Sequence, residues 1–581
     1  MKKSKQSRDF DIVAFELIRN GLSEIADEMM TTLYRTGRSV NTTQALDCSA
    51  GLTDAKGELL AQSLALPGHL GTFPGVMQVM LKHFGDSLAP GDVYLSNDPY
   101  SVGLHLPDIV VVRPIFIGRT LEAFALSVVH HIDIGGMVAG GMPTYATEIY
   151  HEGLRIPPLR LYDRGRLNRT FMDILEKNVR VPDKVIGDLL GQAAACHVGQ
   201  QRVEALIETY GLATVRRYSS ELLDYTERMT RAQIRTWRNG VFEFSDFVDG
   251  DGMESGPIKL HVALTVKGDR LALDFAGTGP QVKGSINCPF HSTKAGASTA
   301  IRCVMGTELP TNAGFFRPIS ISVPLGTILN PLEPASTCNR ALVLARTADT
   351  VFGALAQVVP DRTPACSEGM CSPMTWSARY PDGSVKVWVD NHISGRGGTP
   401  RMDAQEGVAP WVYNANNTSV EVTEANFPLR ITRFGLLPDS EGAGQFRGGL
   451  STFREWEVLV PEVTLTFRAD RQKHTPWGLH GGASGHPAAV YLIRDGEMRE
   501  LPAKFTKDFR KGDRIYSIVQ SGGGWGEPKI RDPKLVLRDV IDGKINLSRA
   551  RDVYGVVIDE RSRTIDAAGT QALRGSRSAA A

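Results

Sequence analysis

The segment from Leu95 to Glu152 constrains this chain more than any other part of its sequence. Four of the thirteen histidines fall there, and each lies within three positions of a carboxylate. Two apolar runs, 109–112 and 124–129, lie inside the segment, and we expect them to form strands. Histidine and carboxylate together form a ligand set that divalent metals use in proteins. The segment therefore predicts a metal site whose ligands are held on rigid strands.

The candidate ligands cluster at the ends of these predicted strands. His105 and Asp108 flank a proline bend and can converge on one ion, and His130 ends the next strand. A single histidine in such a setting is more often a buried core residue than a ligand, and that interpretation stays open for His131. The clustering of the first three residues with Asp133 favours a site.

Asp47 is a further candidate, because it lies among small and apolar residues in a predicted strand. An uncompensated charge inside a protein is expensive, so an inward-facing aspartate needs a partner. The sequence leaves open whether that partner is a protein group or a metal ion.

Hydrophobic periodicity changes along the chain and indicates its organisation. A spacing of three and four predicts helices over 9–37 and from about 170 to 240, where Gly211 separates two of them. Beyond about 245 the period becomes two, and 258–275 is typical of a β-hairpin. We therefore predict a mixed α/β (α+β) fold. Its expected parts are an N-terminal α/β metal-site region (1–168), a helical hairpin (169–245), a β-rich C-terminal region (246–561) and a disordered tail (562–581).

Composition excludes several classes of function. A formal net charge of +1 gives no electrostatic footprint for nucleic acid or an anionic membrane. Seven cysteines without a CxxC pair argue against a disulfide framework or a thiolate zinc site. The glycine pairs near residues 135 and 140 lack the strand, turn and helix order of a phosphate-binding loop. No apolar run approaches the ~20 residues that span a bilayer, and no signal-peptide core is present, so we predict a cytoplasmic protein.

Short motifs occur in a characteristic order along the chain. They are Asp47-Cys48-Ser49, Ser96-Asn97-Asp98-Pro99-Tyr100, His105-Leu106-Pro107-Asp108, His130-His131-Ile132-Asp133-Ile134-Gly135-Gly136, Glu152-Gly153, Asp274-Phe275-Ala276-Gly277-Thr278, Asp439-Ser440-Glu441-Gly442-Ala443-Gly444, Phe446-Arg447-Gly448-Gly449 and Gly522-Gly523-Gly524-Trp525-Gly526. With this set, the chain resembles the hydantoinase B/oxoprolinase family from about residue 9 to about residue 558. That family includes N-methylhydantoinase and 5-oxoprolinase B-type subunits, and subunits of acetone and acetophenone carboxylases.

The resemblance implies one divalent metal ion (Zn, Mn or Fe). It places the metal ligands on Asp47, His105, Asp108 and His130. Three nearby residues are candidates for acid–base catalysis or for orienting the ligands. They are Asp133, His131 and Glu152. The segments 102–104 and 138–143 depart from the usual family pattern beside this site, so the substrate stays open.

The resemblance also implies a partner, an A-type subunit of actin-like ATPase fold that phosphorylates the substrate with ATP. No ATP-binding signature is found in this chain, so phosphorylation is expected from that partner. The first hypothesis is the metal-bearing B-type subunit of an ATP-dependent amidohydrolase that opens a hydantoin, a lactam or 5-oxoproline. The second is a subunit of an ATP-dependent ketone carboxylase of the acetone or acetophenone type. The third is a non-catalytic scaffold subunit.

Overall fold

Capping residues and apolar periodicity explain where the first helix begins and which face it buries. The computed structural model describes residues 10–253, 255–380 and 382–575. Asp11 accepts hydrogen bonds from the backbone N–H groups of Val13 and Ala14, which starts α1. In the described ranges no helix is long and apolar enough to cross a membrane. The helices α1–α15 are Ile12–Thr36, Val40–Thr43, Pro67–Leu70, Phe73–Phe84, Pro99–Val102, Arg169–Asn178, Pro182–Tyr210, Leu212–Arg235, Phe290–Val304, Ala313–Phe316, Arg340–Leu355, Val420–Asn426, Pro533–Ile541, Leu547–Asp552 and Ala567–Gly575.

The strands form five separate sheets, most of them antiparallel. The hairpin predicted over 258–275 is present as β9 and β10. The strands β1–β22 are Cys48–Asp54, Leu59–Gln62, Val93–Ser96, Asp108–Ile117, Thr120–His130, Leu159–Asp163, Arg166–Leu167, Gly240–Val248, Ile258–Lys267, Arg270–Asp274, Ile319–Ser322, Pro373–Arg379, Val385–Asn391, Leu429–Leu436, Thr452–Val458, Glu462–Arg468, Ala489–Arg494, Glu497–Glu500, Lys504–Arg510, Arg514–Ile518, Ile558–Asp559 and Thr564–Ile565.

The seven-stranded sheet, in the order β2-β1-β5-β4-β3-β6-β7, determines where the candidate ligands lie. Cys48 at the start of β1 pairs with Val129, the penultimate residue of β5. Asp108 at the start of β4 pairs directly with His130 at the end of β5. Because neighbouring strands run antiparallel, the start of β1, the end of β5 and the start of β4 meet at one edge of the sheet.

Helix α7 packs on this sheet and ties two of its strands together. The Gln192 side-chain amide on α7 donates to the backbone carbonyls of Ile109 and Ser127, at 2.8 and 3.3 Å. Gly199 leaves room for close approach, since an added Cβ would lie 3.1 Å from that of Ala125. The edge that carries the candidate ligands therefore rests on a rigid helix-and-sheet core.

The region after residue 245 contains two long buried helices, α9 and α11, that periodicity does not predict. Small and apolar residues surround both helices, and nearly every residue of α11 is buried. A helix that is buried on all sides has no polar face, so its sequence shows no amphipathic repeat. Two further sheets, β13-β12-β16-β19 and β14-β15-β20-β17-β18, enclose a separate core around Trp376 and Trp456.

The expectation of a disordered tail over 562–581 differs from the structure, which has β22 and α15 in this part of the chain. The Thr570 hydroxyl accepts a hydrogen bond from the backbone N–H of Val557. The Arg574 guanidinium donates to the backbone carbonyls of Tyr554 and Arg531. Contacts with preceding segments thus order a sequence that lacks strong local signals. Residues 576–581 lie outside the described residues.

Gly103 offers a test of the turn that leads into the candidate site. It ends α5 with a φ of +79°, and an added Cβ would lie 2.2 Å from the Cβ of His291. We expect Gly103→Ala to cost about 2–4 kcal/mol, because a left-handed backbone and a steric clash add together. Gly118→Ala is the matched control, since its φ is +64° but no atom lies within 4 Å of the added Cβ. Thermal unfolding should show the larger loss for Gly103→Ala, and equal losses would contradict this account.

Candidate metal centre

The edge of the seven-stranded sheet brings three predicted ligands together. The ligand atoms of His105, Asp108 and His130 all lie within 4.8 Å of one another, and all three residues are buried. His105 lies in the turn before β4, where the backbone N–H of Asp108 donates to its carbonyl at 2.8 Å. The cross-strand pairing then sets His130 directly opposite Asp108.

The carboxylate of Asp108 is the centre of the group. One oxygen, Oδ2, accepts a 2.5 Å hydrogen bond from Arg340 and lies 3.2 Å from Nε2 of His105. The other oxygen, Oδ1, lies 3.6 Å from Nε2 of His69. Burial by itself would raise the pKa of Asp108, but the neighbouring histidines and the Arg340 guanidinium hold that pKa well below its usual range. Asp108 is therefore an anion at neutral pH.

His69 is a member of this group that sequence analysis did not select. It lies on α3, and its Nε2 is 3.8 Å from the Asp47 carboxylate. Asp47 lies just before β1 rather than within a strand, and its carbonyl accepts the backbone N–H of His130. No local signal marks His69, because α3 reaches the site only through tertiary packing. Arg340 was missed for the same reason.

Each of the three histidines has its Nδ1 engaged by a neutral group. Nδ1 of His105 lies 2.6 Å from the carbonyl of Cys338, so it donates there and leaves Nε2 unprotonated toward Asp108 when the ring is neutral. The corresponding distances are 3.1 Å from His130 to the Asn41 amide and 3.3 Å from His69 to the Ser49 hydroxyl. Metal-bound imidazoles are usually oriented in this way through their second nitrogen. Burial lowers the pKa of His130 to about 4, which keeps it neutral as a metal ligand must be.

Two orphaned oxygens test whether these residues fit a cation. Oδ1 of Asp47 and Oδ1 of Asp108 are both buried and have no hydrogen-bond partner. Buried carboxylate oxygens without a donor are costly, and a bound cation would remove that cost. Imidazole and carboxylate donors suit zinc, manganese or iron. The residues present therefore fit a divalent metal ion.

Glu152 supports this group from behind. One of its oxygens accepts hydrogen bonds from the Ser336 hydroxyl and from the backbone N–H groups of Thr337 and Cys338, at 2.6, 2.5 and 3.0 Å. Burial raises the pKa of Glu152 to about 8 in spite of these donors. Since the carbonyl of Cys338 accepts from His105, Glu152 orients a candidate ligand through one intervening residue.

The structure places the other two predicted site residues apart from the group. Nε2 of His131 lies 3.0 Å from the side-chain carbonyl of Gln192 on α7, within the protein core. Asp133 accepts the backbone N–H groups of Gly140 and Arg180, and pairs with the Arg180 guanidinium at 3.1 Å. These contacts fit structural roles, in core packing for His131 and in loop closure for Asp133.

A cavity of about 1010 Å³ opens beside the candidate metal group. Asp47, His69, His105 and His130 form part of its wall, and the rest is largely apolar. The cavity can therefore hold a compact organic molecule with a polar group directed at the histidines. Its apolar lining residues include Ala45, Leu66, Ile286, Leu342, Leu344, Met370, Val389 and Ala415.

Adjacent histidines provide a matched test of metal binding. We expect the purified protein to carry about one divalent ion per chain, and His130→Gln to lose it, because an inward-facing imidazole is removed. His131→Gln should keep the ion, since His131 contacts Gln192 instead. Elemental analysis of dialysed samples measures both. Equal metal content in the two variants would contradict the assignment.

The protonation of Glu152 predicts a pH-dependent stability. Its folded pKa of about 8 lies above the usual value of 4.5, so the stabilisation is complete below pH 4.5 and is lost as the pH rises through 8. Glu152→Gln preserves the neutral form at every pH. We expect the stability of this variant relative to the unmodified protein to rise by a few kcal/mol between pH 5 and pH 9. Denaturant titrations at several pH values measure the difference, and a constant difference would refute the neutral carboxyl.

Comparison with known proteins places this fold and site in a family. The family model for hydantoinase B/oxoprolinase matches residues 11–528. The B-type subunit of a putative D-/L-hydantoinase from Pseudomonas sp. (strain NS671) is 33% identical over 98% of this chain and 98% of its own length. The beta subunit of caprolactamase from Pseudomonas jessenii is 32% identical over 97% of this chain and 99% of its own length.

Solved structures agree with the sequence comparison. The crystal structure of the ATP-dependent caprolactamase from Pseudomonas jessenii has a TM-score of 0.91 and 29% identity, covering 98% of this chain and all of the matched chain. Nucleotide-free acetone carboxylase also has a TM-score of 0.91, covering all of this chain and 85% of its own, but its 19% identity shows the fold alone. The predicted mixed α/β fold and the resemblance in the motifs are thus confirmed. The chain belongs to the hydantoinase B/oxoprolinase family.

Proposed function

We propose that this chain is the metal-bearing B-type subunit of an ATP-dependent amidohydrolase that opens a cyclic amide. The observation that carries the proposal is the buried group of His105, Asp108 and His130 at the wall of a largely apolar cavity. Relatives that align over nearly their whole length are named as the B-type subunit of a hydantoinase and the beta subunit of a caprolactamase. Hydantoins and lactams are compact rings with a polar amide on an otherwise largely apolar frame, which suits such a cavity.

The chain's own residues supply the positioning that such a reaction needs. A divalent ion held by Asp47, His105, Asp108 and His130 would act as a Lewis acid toward a substrate oxygen or activate water. Arg340 holds the Asp108 carboxylate in place, and Cys338 orients the His105 ring. Apolar walls exclude bulk water and strengthen every charge interaction inside the cavity.

ATP enters the proposal through a partner subunit. An unstrained amide is a poor electrophile, so its opening at neutral pH benefits from activation of the carbonyl oxygen. The matched caprolactamase is described as ATP-dependent, and two relatives are named as subunits. We assign phosphorylation to an A-type partner of actin-like ATPase fold, because this sequence carries no ATP-binding signature.

Reconstitution tests the proposal directly. We expect the chain, co-purified with its A-type partner and supplied with ATP, to release a ring-opened amino acid or carbamoyl product from a hydantoin, a lactam or 5-oxoproline. Chromatography of the products measures the reaction. Asp108→Asn should lower the turnover by about 100-fold or more, because the variant loses the anion that holds two histidines and Arg340.

Controls separate this proposal from the other hypotheses. His131→Gln should retain most of the activity, since His131 packs against α7. Turnover of ketones that requires bicarbonate would instead support a carboxylase. Full activity in a His105→Ala complex would support a scaffold role and contradict the proposed role of the metal group.

A further inference from the structure

Arg468 differs from the other buried arginines of this protein. Seven arginines of the described ranges are buried, and six of them lie within 4 Å of an aspartate. Arg468 is only 1% exposed and has no carboxylate partner in any described part of the chain. The six paired arginines are Arg340, Arg346, Arg447, Arg454, Arg471 and Arg531.

Neutral oxygens are the protein partners of the Arg468 guanidinium. It donates to the backbone carbonyls of Pro373 and Met142, both at 3.1 Å, and to the Thr375 hydroxyl at 3.3 Å. A guanidinium has five N–H groups, so two remain for another acceptor. Burial lowers the pKa of Arg468 to about 10, which still leaves it charged at neutral pH. A positive charge is thus held inside the protein without a counter-charge, which is expensive.

The location of Arg468 points to a ligand as the missing partner. It lines the cavity that also contains His105 and His130. It ends β16 directly opposite Lys504 at the start of β19, although like charges facing each other across a strand pair repel. Lys504 is balanced by Asp470 at 3.0 Å. Arg340, the other cavity cation, is balanced by Asp108.

We propose that Arg468 binds an oxyanion, a carboxylate or a phosphoryl group, on the molecule that occupies the cavity. The planar guanidinium fork matches both groups, and either would supply the missing counter-charge. The other end of the molecule would then face the candidate metal group. This inference rests on the proposed function only for the reaction, because anion binding at Arg468 is measurable without turnover.

A purely structural role is the competing explanation. Arg468 connects the loop at Met142 with the start of β12, so its loss could simply loosen the cavity wall. A structural role predicts a lower melting temperature together with weaker binding of every ligand, charged or neutral. An anion site predicts a selective loss of affinity for anions and recovery by lysine.

The test is calorimetric titration of the purified, metal-loaded chain with inorganic phosphate, with glutarate and with neutral δ-valerolactam. We expect Arg468→Gln to weaken binding of at least one anion by about 30-fold or more, because a buried charge pair is removed. Arg468→Lys should recover part of that affinity, and δ-valerolactam binding should stay unchanged in both variants. A loss confined to phosphate identifies a phosphoryl ligand, and a loss confined to glutarate identifies a substrate carboxylate.

Lys504→Gln is the matched control, since this cation lines the same cavity but already has Asp470, which also keeps its contact with Arg346. Its anion affinity should change less than about threefold. The proposal is overturned if the unmodified chain binds neither anion at millimolar concentration, or if Arg468→Gln and Lys504→Gln weaken anion binding equally. Equal weakening of δ-valerolactam and anion binding by Arg468→Gln would also overturn it. Failure of the proposed function would appear separately, as a reconstituted complex that opens no cyclic amide.

Discussion

The buried carboxylate of Asp108 is the interaction on which the candidate site depends. It is fully buried, and it contacts His105 from the adjoining turn, His69 from α3 and Arg340 from the start of α11. Such a charge is tolerated inside a protein only when partners surround it. The N-terminal sheet and the buried helix α11 are therefore joined at the same point where the ligands converge. Fold and site share one electrostatic requirement.

Positioning at this centre extends outward through neutral and charged groups in turn. Glu152 holds the segment that contains Cys338, and Cys338 holds the His105 ring. These contacts fix the imidazole before any ligand arrives, which limits the reorganisation that binding requires. The mostly apolar wall around them makes each remaining polar contact more selective.

Relatives with different substrates share this architecture. A caprolactamase and an acetone carboxylase both superpose with a TM-score of 0.91, although their names describe different reactions. A fold that accommodates both leaves substrate choice to the side chains of the cavity. In this chain those side chains combine apolar residues such as Leu66 and Leu344 with the cations Arg340, Arg468 and Lys504. Shape and charge in the cavity are accordingly the places to look for specificity.

Local patterns in the sequence determined the elements whose information lies among near neighbours. The apolar repeat of α1, the hairpin of β9 and β10, and the proximity of His105 to Asp108 all follow from spacing over a few residues. Tertiary structure alone decided that His69 and Arg340 join the group, that His131 turns toward α7, and that α9 and α11 are buried. Arg340 is 232 residues from Asp108, and no periodicity spans such a distance. Contacts of that kind arise from the packing of whole elements, which depends on many side chains at once.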